Sequence, residues 1–141
     1  MKKLISILFM VAFVVSVAFA QYGQALQLPV IAGDTITNTG TTYKVIKATA
    51  GFSDIAIQPI ITNVSGTMAG TVKLYGSLDG TNYPSAAIDS MAISVSNLTR
   101  VFAKTGTPYV YYKIVITGSG TMVARWKVWY VLRKRAMVML P

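Results

Sequence analysis

The chain has 141 residues, of which 53% are hydrophobic and 12% charged, so its length fits one domain with an ordinary core. It carries 13 Lys and Arg residues but only four acidic residues, which gives a formal net charge of +9, and it contains no His and no Cys. These absences exclude an imidazole base, a thiolate nucleophile, a disulfide, and the usual zinc and iron–sulfur ligand sets.

The N-terminus has the three parts of a bacterial secretory signal. Lys2 and Lys3 precede the apolar stretch Leu4–Ala20, which closes on an Ala-Phe-Ala sequence. This pattern predicts a signal peptide over residues 1–20, cleaved after Ala20, and a single exported domain over residues 21–141. The alternative is an uncleaved signal anchor, because about 17 apolar residues in a helix span about 25 Å. In that case the chain would contact a membrane only through residues 1–20.

The remaining chain shows the pattern of an all-β domain. Short segments rich in Val, Ile, Thr and Tyr alternate with Gly-containing and Asn-containing turns, and no segment has apolar residues at helical spacing. We expect an antiparallel β-sandwich of the jelly-roll or immunoglobulin-like type. The predicted strands are Ala25–Ile31, Thr42–Ala48, Asp54–Thr62, Gly70–Ser77, Ala86–Val95, Thr99–Lys104, Tyr109–Thr117 and Thr121–Lys134.

Two details of this pattern carry further expectations. Proline cannot donate to a strand ladder, so Pro29 and Pro59 predict that their strands are edges or contain bulges. Residues 34–42 are rich in Thr and Gly without a repeat, which predicts a loop.

The last two predicted strands suggest a hairpin. Both have apolar side chains at even positions, and directly paired residues point to the same side of a sheet. A three-residue loop at Gly118–Gly120 would satisfy this rule and would place Lys113 opposite Arg125. The inward residues of this hairpin are Val110, Tyr112, Ile114, Ile116, Met122, Ala124, Trp126, Val128, Tyr130 and Leu132.

The outward side of the same hairpin is both aromatic and basic. Such a surface is typical of a contact with an anionic partner, a neighbouring subunit or single-stranded nucleic acid, although nucleic acid is the least favoured of these partners. The alternative is a solvated face on which Lys and Arg stems cover the rings. The candidate interaction surface consists of Tyr109, Tyr111, Lys113, Arg125, Lys127 and Trp129.

The C-terminal end combines a basic cluster with an apolar tail. Residues Arg133–Arg135 precede Ala136–Pro141, a tail that is too short to span a bilayer. It either continues the last strand into the core or docks on a neighbouring subunit or a membrane surface.

Little catalytic chemistry is available to this sequence. Asp34, Asp54, Asp79 and Asp89 lie in different segments, outside any acid–base motif, and are interpreted as turn and capping residues. A calcium site at the loop of residues 79–82 is conceivable, but one such loop supplies fewer than the six to eight oxygens that calcium takes. We therefore expect no enzymatic activity, no catalytic residue, no cofactor and no metal.

Two segments resemble a known group of proteins. Residues 70–84 (GTVKLYGSLDGTNYP) and 109–122 (YVYYKIVITGSGTM) are similar to small β-sandwich structural proteins of tailed bacteriophages. The matching positions are Ser77, Asp79, Gly80, Asn82 and Tyr83 in the first motif, and Tyr111, Tyr112, Lys113, Gly118 and Gly120 in the second. The resemblance implies a non-enzymatic virion or appendage component, such as a decoration, fibre or tail-associated protein.

The sequence therefore predicts an exported structural module. It would act by forming homo-oligomers or by docking on other virion or appendage proteins. The alternative function is a secreted bacterial cell-surface module that binds glycans through aromatic residues such as Trp129 and Tyr111.

Overall fold

The computed structural model of this chain describes residues 26–27, 34–48, 52–94 and 97–134. The predicted signal segment 1–20, Pro29 and the C-terminal tail 135–141 lie outside the described residues. None of the described residues form a helix that could span a membrane. These residues form ten strands: β1 Leu26–Gln27, β2 Thr35–Thr37, β3 Thr41–Lys47, β4 Asp54–Ser65, β5 Met68–Ser77, β6 Asp89–Ile93, β7 Asn97–Thr99, β8 Phe102–Lys104, β9 Tyr111–Gly120 and β10 Val123–Arg133.

The strands form two antiparallel sheets, which confirms the prediction of an all-β antiparallel fold. The first sheet has the order β1-β10-β4-β7, with β2 also paired to β10 and β8 also paired to β4. The second sheet has the order β3-β9-β5-β6. One buried cluster takes Ile57 and Trp126 from the first sheet and Val72 and Ile114 from the second. The two sheets thus share one core in a sandwich-like arrangement, and the jelly-roll or immunoglobulin-like type stays a prediction.

The predicted C-terminal hairpin is wrong. Strand β9 pairs with β3 and β5, whereas β10 pairs with β4, so the two strands belong to different sheets. Gly118–Gly120 is not a hairpin loop but the end of β9, where it pairs with Met68–Gly70 of β5. The chain crosses from one sheet to the other at Thr121 and the fully buried Met122.

The prediction of which side chains face the core is nevertheless largely right. Met122, Ala124, Trp126 and Val128 are at most 2% exposed, and Tyr112, Ile114 and Ile116 are buried as well. Tyr130 and Leu132 are partly buried against the same core. Val110 is the exception, because it precedes β9 and is 37% exposed.

Pro59 explains why one predicted strand is two strands. Strand β4 is not an edge, since it pairs with β10 on one side and with both β7 and β8 on the other. Residues Ile60–Thr62 pair with β7 and Ile55–Ile57 pair with β8, so Pro59 faces the gap between these short strands. Because proline has no N–H to donate to a neighbouring strand, the predicted strand Thr99–Lys104 is interrupted opposite Pro59, between β7 and β8.

The segment expected to be a loop over residues 34–42 contains β2 and joins the two sheets. The Gly40 N–H donates to the carbonyl oxygen of Thr37 in a tight turn, and β3 follows at once in the other sheet. At this edge the ammonium of Lys44 forms an ion pair of 2.7 Å with Asp34, and the two side chains are only 9% and 13% exposed. The same ammonium lies 5.2 Å from the centroid of the Trp126 ring.

Candidate functional site

The structure divides the six candidate interaction residues between two surfaces, because β9 and β10 are in different sheets. Arg125, Lys127 and Trp129 lie on the outer side of the first sheet, and Tyr111 and Lys113 lie on the outer side of the second. The single patch and the opposed pair of Lys113 and Arg125 are therefore wrong. Whether each group binds a partner stays a prediction.

Tyr109 belongs to neither surface. It precedes β9 and packs against the core, with its ring edge-to-face to that of Tyr112 at 6.1 Å between centroids. A Cβ atom at Gly76 would come within 2.3 Å of the Tyr109 ring, so only glycine leaves room for this contact. Tyr109 is thus a packing residue.

The outer side of the second sheet carries a group of lysines and tyrosines that we call the lysine–tyrosine face. It is built from β3, β5 and β9, together with the loop after β5. Tyr43 is its most open ring, at 63% exposure. The members are Tyr43, Lys47, Lys73, Tyr75, Tyr83, Tyr111 and Lys113.

Lys113 occupies the centre of the lysine–tyrosine face. Its ammonium lies 3.9 Å from the ring centroid of Tyr83, 5.7 Å from that of Tyr75 and 5.9 Å from that of Tyr43. Lys47 makes a similar contact with the Tyr111 ring, at 5.6 Å. Cation–π contacts of this kind stabilise an ammonium without neutralising it. Within the described residues, the ion pairs of lysines with carboxylates are those of Lys44 and Lys104, so Lys113 keeps an uncompensated charge.

The loop between β5 and β6 positions Tyr83 over Lys113. The Oδ1 atom of Asp79 accepts hydrogen bonds from the N–H groups of Thr81 and Asn82, at 2.9 Å and 2.8 Å, and Oδ2 accepts one from the Asn82 side-chain amide at 2.6 Å. The Ser77 hydroxyl accepts from the Gly80 N–H at 3.0 Å. These bonds hold the pKa of Asp79 well below its usual range, with the Asn82 backbone N–H as the largest cause. Both carboxylate oxygens serve the loop itself, so this aspartate is a structural residue.

The two motifs of the phage resemblance meet at this point. Gly80 has a φ of +77°, and a Cβ atom there would lie 2.9 Å from the Tyr111 ring. The Tyr83 hydroxyl is buried and has no hydrogen-bond partner among the described residues. Burial is the main reason why the pKa of Tyr83 is raised, with Asp79 as the next cause.

Sequence reasoning missed five members of this face: Tyr43, Lys47, Lys73, Tyr75 and Tyr83. Each of them lies at an outward-facing position of its strand or, for Tyr83, in the loop after β5. The pairing of β9 with β3 and β5 is long-range, however, so the local sequence does not indicate that these residues come together. The odd-numbered Lys73 and Tyr75 in β5 were the available hint, because alternation places them on one side.

The outer side of the first sheet is different in character, and we call it the groove face. A shallow apolar groove runs over Ala56, Val101, Trp129 and Val131, beside the gap that Pro59 faces. Val101 is 50% exposed. The exposed Arg125 and Lys127 lie further along β10 on the same side of the sheet, and we call these two residues the basic rim of the groove face. The groove face therefore combines an apolar centre with a charged border.

All four aspartates are engaged in contacts that support the fold. Asp34 pairs with Lys44, Asp89 pairs with Lys104 at 2.7 Å, and Asp54 accepts a hydrogen bond from the Gly106 N–H at 3.0 Å. The hydrogen bond from Lys104 is the largest cause of the lowered pKa of Asp89. No cluster of three potential metal-ligating side chains of the His, Cys, Asp or Glu type occurs in the described ranges.

Comparison with known proteins informs the fold. No protein-family model matches the sequence, and no curated protein matches it. The chain is similar in structure to a mitogen from Yersinia pseudotuberculosis, with a TM-score of 0.51 and 9% identity over 83% of this chain and 92% of the mitogen. A Bacillus endospore appendage protein, described as one of a family of disulfide-linked pili, gives a TM-score of 0.45 and 16% identity over 81% of this chain and 91% of that protein. The likeness to the mitogen extends over most of both chains and supports the two-sheet fold alone.

Proposed function

We propose that this chain is a non-enzymatic structural module of an extracellular assembly and that it works through the outer sides of its two sheets. One observation carries the proposal. All four aspartates are used inside the fold, whereas cations and aromatic rings are displayed outside it. The motif resemblance favours a phage virion or an extracellular appendage as the assembly. The signal-like segment 1–20 favours export, with cleavage after Ala20.

The groove face is the surface that we assign to assembly, by self-association or by docking on a larger particle. Stable protein interfaces place apolar and aromatic residues at their centre and polar residues at their rim. Trp129 lies in the groove, and Arg125 lies on the rim. Trp and Arg are also the residue types that contribute most to binding energy at interfaces. This composition fits a subunit contact.

A variant of the rim tests the assignment. Arg125→Ser combined with Lys127→Ser should leave the melting temperature of the monomer unchanged or higher, because two like charges are removed from one strand. The same change should weaken oligomer formation or particle binding by about tenfold or more. Sedimentation velocity measures the oligomeric state of the protein, and stoichiometric copurification measures its binding to particles.

A matched control lies on the opposite sheet. Lys47→Ser combined with Lys73→Ser removes the same charge from exposed positions of the lysine–tyrosine face and should leave assembly intact. If the groove-face variant assembles as well as the parent protein, the interface lies elsewhere. The first alternative to examine is then the tail Ala136–Pro141.

The lysine–tyrosine face favours a second candidate function, that of a secreted bacterial cell-surface module that binds glycans. Tyrosine rings and hydroxyls suit sugars, and such a module would act as a monomer. Binding of the monomer to a glycan array, without copurification with particles, would favour this function over assembly.

A further inference from the structure

Three lysines form a straight row across the lysine–tyrosine face. From β3 to β9 to β5, each lysine lies one strand over and two residues along from the previous one. Strands lie about 4.8 Å apart and two residues advance about 6.7 Å, so neighbouring Cα atoms of the row are about 8 Å apart. In the register, Lys47 pairs with Tyr111, Lys113 pairs with Val45 and Tyr75, and Lys73 pairs with Val115.

The row is partly held in place before any partner arrives. The central ammonium of Lys113 is surrounded by the rings of Tyr43, Tyr75 and Tyr83, and Lys47 rests on Tyr111. Side chains that are already ordered lose less conformational entropy on binding. No carboxylate of the described residues forms an ion pair with these lysines, so the row presents positive charge to the outside.

A second copy of this chain does not supply the missing negative charge. The whole sequence has four acidic residues against 13 basic ones, and all four are engaged in contacts within the fold. The groove face is basic as well, through Arg125 and Lys127. Like charges facing each other across an interface oppose association. A partner that neutralises the lysine row must therefore be a different molecule that carries anions.

We propose that the lysine–tyrosine face binds an acidic polysaccharide, with sugar carboxylates paired to the row of Lys47, Lys113 and Lys73. Further along the same sheet side, Thr41, Thr117 and Thr71 lie side by side on β3, β9 and β5, and their hydroxyls can hydrogen-bond to sugar hydroxyls. The inference rests on the surface role proposed above as the second candidate function and does not depend on self-association.

Single-stranded nucleic acid fits this surface less well. Proteins that bind it without sequence preference stack successive bases on aromatic rings. Here the rings of Tyr43, Tyr75, Tyr83 and Tyr111 all lie beside lysine ammonium groups, and the most exposed of them is that of Tyr43. A polymer that needs charge pairing and hydrogen bonds, rather than a run of free ring faces, matches the arrangement.

The test measures binding of the exported protein to polygalacturonate by isothermal titration calorimetry, with dextran as the neutral polysaccharide and oligo(dT) as the nucleic acid. We expect polygalacturonate to bind, dextran to bind far more weakly, and the affinity for polygalacturonate to fall as salt is raised. Lys47→Gln combined with Lys73→Gln should lower that affinity by about tenfold, since two of three ion pairs are lost.

The control variant is Arg125→Gln combined with Lys127→Gln, which removes the same charge from exposed positions of the groove face. It should change the affinity for polygalacturonate by less than about twofold, because the contacts of the row remain. Equal losses of affinity for polygalacturonate in the two variants would show that the polymer is attracted by net charge alone, and this result would overturn the proposal. Absence of polygalacturonate binding, or tighter binding of oligo(dT), would overturn it as well.

The outcome is separable from that of the assembly proposal. If polygalacturonate binding fails while the groove-face variant still weakens assembly, only the present inference falls. If binding is lost in the Lys47 and Lys73 variant while assembly proves insensitive to Arg125 and Lys127, the assembly proposal falls and this one stands.

Discussion

The tryptophan of the core should be far more important for stability than the tryptophan of the groove. Trp126 is 2% exposed, and its ring lies in the cluster shared by both sheets. Replacing such a side chain by alanine costs about 3–5 kcal/mol in free energy of unfolding. For a domain of this size, that cost corresponds to a fall in Tm of about 10–20 °C. Trp129→Ala, on the outer side of the first sheet, should cost less than about 1 kcal/mol.

A conservative change at the same position separates two contributions of the Trp126 ring. Its Nε1 atom is buried without a hydrogen-bond partner in the described part of the chain. An unpaired buried donor costs about 1–3 kcal/mol, and Trp126→Phe removes that donor while keeping most of the ring. The smaller buried apolar area lowers stability, whereas removal of the unpaired N–H raises it. The free energy of unfolding of Trp126→Phe should therefore lie within about 1 kcal/mol of that of the parent protein.

Urea denaturation followed by far-UV circular dichroism measures these differences without relying on tryptophan fluorescence. We expect the parent protein, Trp126→Phe and Trp129→Ala to have similar free energies of unfolding, and Trp126→Ala to be much less stable than all three. Equal losses for the two alanine variants would refute the assignment of inward and outward faces. A Trp126→Phe variant as unstable as Trp126→Ala would refute the role given to the unpaired N–H.

Four other predictions follow from the loop, the edge and the N-terminus. Gly80→Ala should lower the free energy of unfolding, measured by urea denaturation, by about 1–2 kcal/mol, because it places a side chain at a φ of +77° and against Tyr111. The control Thr81→Ala, at an exposed position, should lower it by less than about 0.5 kcal/mol. The pKa values of Asp79 and Asp89 are lowered in the folded state, so their contribution to stability is complete above the ordinary carboxyl pKa of about 4 and is lost as pH falls below it. We expect the Tm of the parent protein to decline in that acidic range. An equally steep decline in the Asp79→Asn, Asp89→Asn double variant would contradict this cause. Lys44→Met should cost about 3 kcal/mol because it removes the ammonium from the nearly buried Asp34, and the further change Asp34→Asn should recover part of the loss in a double-mutant cycle. Intact-mass spectrometry of the exported protein should show Gln21 as the first residue, whereas retention of Met1 would exclude cleavage after Ala20.

The sequence predicts the strands and their buried sides well because both depend on local alternation. The predicted segments Thr42–Ala48 and Gly70–Ser77 agree with β3 and β5 to within two residues at each end. The alternation in β10 places Trp126 inward and Lys127 outward, as the structure does. A period of two residues is a property of the single strand and needs no knowledge of its neighbours.

The pairing of strands could not be read in the same way. In a two-layer fold, strands of opposite sheets both point their apolar residues to one shared core, so equal parity in β9 and β10 does not require them to pair. The hairpin interpretation assumed that consecutive strands are neighbours, which is the commoner case. The lysine–tyrosine face was hidden for this reason, since Lys47, Lys113 and Lys73 come together only through long-range pairing.

The inward position of Lys44 also bears on aggregation. Strand β3 lies at one edge of the second sheet, and an edge strand can recruit a strand from another molecule to form fibrils. Lys44 points from the middle of this strand into the sandwich, where its ion pair with Asp34 is nearly shielded from water. A foreign strand that extended the sheet at this edge would have to place its own side chains beside that charge. Stacking of molecules along β3, the longer edge strand of the second sheet in the described part of the chain, is therefore disfavoured.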